Sequence, residues 1–230
     1  VLGGGFAAAI KVGFGSLVEH ENALAQTEAV LKSTGGAAGV TAAEITGMAD
    51  ELEKLTGVDD VAIQSGENLL LTFTNIQNKV GEGNNVFDQA TQTMLDMSVA
   101  LGQDMKSSAI QVGKALNDPI KGITALTRVG VSFTDAQKAQ IKALVEAGDV
   151  MGAQKIILAE LNKEFGGSAK AAGETFAGRL NILKARLEEV AEKVAGRLIP
   201  VFELLVSWVE KNWPQIEAVV TGVMDGIKTV

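Results

Sequence analysis

Cysteine and tyrosine are absent from this chain, histidine occurs once, at His20, and proline three times. Without thiols there is no disulfide, no thiolate metal site and no cysteine nucleophile. A single histidine, set in the polar stretch EHEN, leaves almost nothing from which to build a Ser-His-Asp arrangement or a multi-histidine metal site. His20 reads as a solvated helix-surface residue. Aromatic residues make up 4% of the chain while hydrophobic residues reach 47%. A core must therefore be built mainly from Ala, Val, Leu and Ile, which favours helices over a sandwich or barrel. Clustered positive charge is also missing: the net charge of −8 argues against phosphate-backbone contacts and sequence-specific nucleic-acid binding.

Other chemistry is equally sparse. Gly81 and Gly83 in VGEGNN lack the lysine and hydroxyl of a phosphate-cradling loop and read as a turn. The adjacent pairs Asp59-Asp60 and Glu188-Glu189 point to different sectors of a helix, so neither is a natural metal or proton-sharing pair. The expectation is a protein that is not an enzyme and has no cofactor and no metal.

What is abundant is glycine, 26 residues of it, which punctuates helices. Residues 1–18, VLGGGFAAAIKVGFGSLV, form a Gly/Ala-rich apolar segment with five glycines and Lys11, a poor transmembrane span. It reads as a small-residue helix or linker, with bilayer insertion as the alternative. Residues 19–102 form an N-terminal helical region. Leu17, Leu24 and Leu31 recur at seven-residue intervals, Thr41-Ala-Ala-Glu44 is a capping box, and Asp59-Asp60 start a helix with Leu69, Leu70, Phe73 and Ile76 at its apolar end. Phe87, Ala90, Met94, Met97 and Leu101, then Met105, Ala109, Val112 and Leu116, give two amphipathic helices or one kinked at Gly102, with the methionines as core.

Residues 103–167 read as a compact short-helix module. Asp118 is an N-cap with Pro119 at the first helical position, and Gly130 is a C-cap. Val131 and Phe133 anchor an extended link, Thr134 opens a second capping box with Gln137, and Gly148, Gly166 and Gly167 end helices. Residues 168–230 differ. Phe176, Leu180, Leu183, Leu187, Val190 and Val194 keep a four-three alternation expected of a coiled-coil seam, in a long helix broken near Pro200 and Pro214. Such a seam is expected to pack back on upstream helices or to pair with a second copy. The fold class that follows is all-α: a multi-helix bundle of short amphipathic helices followed by a long coiled-coil-like C-terminal helix.

One stretch goes beyond generic helix. VGKALNDPIKGITALTRVGVSFTDAQKAQIKALVEAGDVMGAQKIILAELNKEFGGSA, residues 112–169, resembles a block recurrent in tail length tape measure proteins of long-tailed bacteriophages and prophages. Its carriers are Gly-Lys-Ala-Leu with Asp118-Pro119, the link from Gly130 through Phe133 to Thr134, Ile-Lys-Ala-Leu, and the Phe-Gly-Gly-Ser-Ala ending. With ALAQTEAVLKSTGGAAGVTAAEITGMADELEKLTGVDD and LLLTFTNI upstream, the resemblance covers about residues 20–180. It implies a piece of a much longer chain that sets tail length, occupies the tube lumen, and is expelled ahead of DNA. The implied partners are tail tube and tail tip proteins, assembly chaperones and further copies through helices, with a host-membrane contact during infection. The implied location is the virion tail, after synthesis in the host cytoplasm. The spaced aromatic repeats of the family's ruler section are absent here, as are its peptidoglycan-cleaving domains. A membrane-active helical protein is the alternative reading.

Overall fold

A computed structural model describes the backbone of residues 2–228 and the side chains of residues 11–201, 203–219 and 221. Among these the architecture is all-α, and the only β pairing is an isolated antiparallel bridge between Asn78 and Asn85. The chain divides into two units, residues 18–187 and residues 1–17 with 188–230. The first helix, α1 (Leu2–Ser33), and the last, α10 (Phe176–Lys228), each contribute to both.

Within residues 18–187 the helix starts follow local side-chain chemistry. In α2 (Ala42–Thr56), Thr41 accepts from the Glu44 amide while the Glu44 carboxylate accepts from the Thr41 amide, and Gly57 closes the helix at φ +72°. Asp59 caps α3 (Asp60–Leu70) by accepting from the Ala62 amide. The chain leaves helical structure after Leu70, so Phe73 and Ile76 lie in the following turns rather than on a helix end as expected. Their anchoring is tertiary: Ile76 is buried in the core, and the Phe73 ring fills the space beside Gly113.

Next come α4 (Val86–Leu101) and α5 (Met105–Asn117), separate helices divided at Gly102 and restarted by Asp104. Then follow α6 (Pro119–Thr127), α7 (Asp135–Glu146) and α8 (Val150–Phe165). A six-residue helix not expected from the sequence, α9 (Ser168–Gly173), fills the turn after Gly167.

The core of this unit lies where α4 and α5 pack against α3 and α8, with α9 against α4. Phe87, Met94, Leu95 and Met97 of α4, Leu116 of α5, Ile63 of α3 and Ile157 of α8 are fully enclosed there. Their apolar spacing is the 3.6-residue period that presents one stripe to the interior.

In the unit formed by residues 1–17 and 188–230, α1 lies against α10. A Cβ at Gly13 would run into the Ala191 carbonyl, and the Ser16 hydroxyl donates to Glu192 at 3.4 Å. Side chains of residues 1–10 lie outside the described residues, so the reading of residues 1–18 as a membrane-contacting segment falls mostly there. No helix among the described residues is long and apolar enough to cross a membrane.

The expectation of a C-terminal coiled coil is corrected. Phe176, Leu180, Leu183, Leu187, Val190 and Val194 are all exposed, from 41% at Val194 to 78% at Phe176, so the seam is not interleaved with another helix. Knobs-into-holes packing requires these positions to be enclosed, and they are not. Nor do residues 18–187 form a coiled-coil rod of the kind that would fill a tail tube; they form a compact bundle. The breaks near Pro200 and Pro214 are absent as well, because α10 runs through both prolines. Each proline removes the amide that would bond four residues back and crowds that carbonyl, but helical structure continues past it.

Candidate functional site

The signature residues lie at the joints of the α5–α9 region. Asp118 accepts from the Lys121 amide at 3.2 Å, and Pro119 occupies the first position of α6. The α5–α6 crossing is close: a Cβ at Gly122 would collide with the Lys114 carbonyl. After α6 the backbone turns at Gly130, with φ +97°. Val131 and Phe133 of the link are buried in the core, where they hold it against the bundle. Thr134 and Gln137 form the second capping box, at 3.2 Å and 2.8 Å. Gln137 also donates to Glu160 on α8 at 2.7 Å, so the cap of α7 is tied to its neighbour. Gly148 and Gly167 take positive φ, whereas Gly166 is extended at φ −55°, ψ 132°.

Several organising side chains carry no local signal. Asp96 on α4 accepts from the amides of Gly167 (3.1 Å) and Ala169 (2.9 Å), capping α9 from 71 and 73 residues away in sequence. Gln154 on α8 donates to the carbonyls of Asn75 (2.8 Å) and Leu116 (2.9 Å), satisfying the end of α5 and the turn beside it. Asn78 accepts from the Phe87 amide at 2.9 Å, at the start of α4, where Asn85 makes no side-chain cap. Such long-range partners are invisible in a sequence window, because each donor and acceptor looks like an ordinary polar residue.

The same holds for the titratable groups. His20 is not the solvated residue expected: its Nε2 lies 3.0 Å from Asp60, the buried first residue of α3. Around this pair the fold gathers Asp50, Glu53 and Asp59, and single oxygens of Glu53, Asp59 and Asp60 lie within 4.8 Å of one another. Burial, then the neighbouring Asp60 charge, pushes the Glu53 carboxyl up to about 7. Burial, then a hydrogen bond with Asp60, raises Asp50. Burial opposes ionisation of Asp60 too, but the His20 hydrogen bond and charge outweigh it, with the Val61 amide adding to them, and its carboxyl is held down. Asp59 is committed to the Ala62 amide at 2.8 Å. The cluster brings together side chains of α1, α2 and α3 with Asp59 of the loop before α3, and His20 offsets part of its negative charge.

A second group is more deeply enclosed. Glu67 on α3 is fully buried, and neither carboxylate oxygen has a hydrogen-bond partner among the described residues. Burial, then the Asp88 charge, raises its carboxyl well above the ordinary range. A shallow groove nearby is lined by Met48, Leu52, Leu55, Asp88 and Gln92. None of these groups forms a nucleophile–base pair.

The remaining feature is the exposed apolar stripe of α10. Beyond Val194, Val201, Leu204, Leu205 and Trp208 are all more than half exposed. Comparison with protein-family models, curated proteins and solved structures finds no match to this chain.

Proposed function

We propose that this chain is a structural and assembly module of a bacteriophage tail, of the tape-measure type, acting through a folded helical bundle. The observation that carries the reading is the ordered run of motifs over residues 112–169. Asp118-Pro119, Gly130 with Phe133 and Thr134, Gly148, and Gly166-Gly167 occur in the order of the tape-measure block. In the fold these residues lie at helix joints, where such a signature serves packing rather than chemistry. On this reading the module contributes to tail length and tube assembly, meets tail tube and tail tip proteins and assembly chaperones, and resides in the virion tail.

Two measurements test it. Antibodies raised against residues 1–230 are expected to label purified tails, and tails without label overturn the assignment. Deleting residues 112–169 from the intact tail gene is expected to give absent tails or tails of altered length by electron microscopy. Normal, infectious tails from that deletion also overturn it.

A further inference from the structure

The net negative charge of the protein is confined to one segment. Residues 41–102, which hold α2, α3 and α4, carry ten of the 28 acids and two of the 20 bases, Lys54 and Lys79. The other 18 acids and 18 bases cancel, so the whole net charge of −8 belongs to this segment. Several of its acids serve the fold: Glu44 and Asp59 cap helices, Asp60 pairs with His20, and Asp96 holds α9.

Two others border the same groove. Helices α2 and α4 each pack on α3 and on α9, and between them lies the shallow groove, of about 430 Å³. Its apolar lining is Met48, Leu52 and Leu55, of which Leu55 is 46% exposed. Glu51 stands on the α2 side, and Asp88 and Gln92, one turn apart, on the α4 side. Glu51 is exposed and has no hydrogen bond or ion pair among the described residues. The Asp88 carboxylate accepts from the uncharged amides of Asn78 (2.7 Å) and Asn85 (3.4 Å), which leave its charge in place. Its nearest charged neighbour in the interior is another acid, Glu67, buried with both carboxylate oxygens unpartnered. No Lys or Arg lines the groove among the described residues.

This arrangement discriminates among occupants. Nucleic acid and anionic bilayers are repelled by a surface of this sign. A metal ion needs several ligands converging on one point, and among the described residues such a group is formed by Glu53, Asp59 and Asp60, not by Glu51 or Asp88. A free small molecule is held by a cavity that closes over most of its surface, which a shallow groove does not do. A second copy docked groove to groove would set Glu51 and Asp88 against their own counterparts. What fits is a cation carried on a surface that covers the groove from outside and supplies an apolar group for Leu55.

We propose that the groove between α2 and α4 is the docking site for a basic segment of a different protein, which lays an apolar side chain against Met48, Leu52 and Leu55 and sets Lys or Arg against Glu51 and Asp88. This docking role goes beyond the tail assignment and does not depend on it.

The test uses the full chain, with its methionine methyl groups labelled for NMR, and three short fluorescent peptides. One has a central leucine between lysines, one replaces the lysines by glutamates, and one replaces the leucine by serine. By fluorescence anisotropy the lysine–leucine peptide is expected to bind at least about tenfold more tightly than either of the others, and to weaken as salt is raised. The Met48 methyl signal is expected to move on binding, while those of the enclosed Met94 and Met97 stay in place. Glu51→Lys and Leu55→Ser are each expected to weaken binding about tenfold or more. Both positions are exposed, so circular dichroism should show unchanged helicity. Asp88→Asn, which keeps an acceptor for Asn78, is expected to weaken binding as well. Binding of none of the peptides, equal affinity for the lysine and glutamate peptides, or affinity unchanged by Glu51→Lys and Leu55→Ser would each overturn the proposal. So would spermidine matching the peptide in affinity and in its effect on Met48, or dimers of the chain alone in sedimentation that Glu51→Lys disperses.

Discussion

Helices α4 and α10 carry nearly the same apolar spacing and meet opposite fates. In α4, Phe87, Ala90, Met94 and Met97 recur at intervals of three and four and are completely enclosed, because α3, α5, α8 and α9 all pack around that helix. In α10, residues from Phe176 to Val194 recur at the same intervals and stay in solvent. A period of 3.5 to 3.6 residues states that a helix has an apolar side. It does not state whether the chain itself provides the cover. The lesson is that the same spacing marks enclosed core in α4 and a side left exposed in α10.

The sharpest way to break this contrast is to truncate one aromatic from each helix. Phe87→Ala is expected to destabilise the bundle by about 3–5 kcal/mol, through lost burial and a residual cavity. Phe176→Ala is expected to stay within about 0.5 kcal/mol. Urea denaturation followed by circular dichroism reads both, and comparable losses would show that α10 is covered in solution.

Smaller effects test the long-range polar ties that the bundle has. Asp96→Ala removes the acceptor for two amides of α9 and is expected to cost about 1–3 kcal/mol, read by the same method. Its local counterpart, Thr134→Ala, removes one capping hydroxyl and is expected to cost about 1 kcal/mol. If Thr134→Ala proves the costlier of the two, the joint at α9 contributes less than its geometry indicates.

The least drastic probe is pH. Glu53, Asp50 and Glu67 have raised carboxyls in the fold, so the stability associated with them is complete below their unfolded values and is lost as pH rises through their folded ones, about 7 for Glu53. Asp60, Asp104 and Glu44 have lowered ones, held down respectively by His20, the Ser107 hydroxyl and amide, and the Thr41 amide and hydroxyl. Their contribution is present above about pH 4 and is lost as pH falls through their folded values. Thermal unfolding is therefore expected to show maximum stability on the mildly acidic side of neutrality. Glu67→Gln should raise the midpoint at pH 7 more than at pH 4.5, since only the higher pH penalises the buried acid. An equal shift at both values would mean that Glu67 is already ionised in the fold.

Much of the bundle was legible in advance because helix ends are local. Thr41 with Glu44, Asp59, Asp118 with Pro119, and Thr134 with Gln137 each satisfy amides within three residues, so a short window contains both partners. The end of α3 was misread because LLLTFTNI keeps an apolar pattern past Leu70 while the backbone turns to deliver Phe73 and Ile76 to the core. The acidic cluster was missed for a related reason. Asp59 and Asp60 on one helix do look separate, and it is the approach of α2 and α1 that brings Glu53 and His20 to them.

The sequence by itself determined that this protein is helical, where most of its helices begin and end, and which residues form their apolar sides. These follow from hydrogen bonds and side-chain periods that span a few residues. Only the tertiary structure decided that Asp96 caps a helix more than seventy residues away, that His20 is paired, that Glu67 is buried without a partner, and that the stripe of α10 is left open. Burial and long-range pairing depend on which helices become neighbours, and no local pattern encodes that.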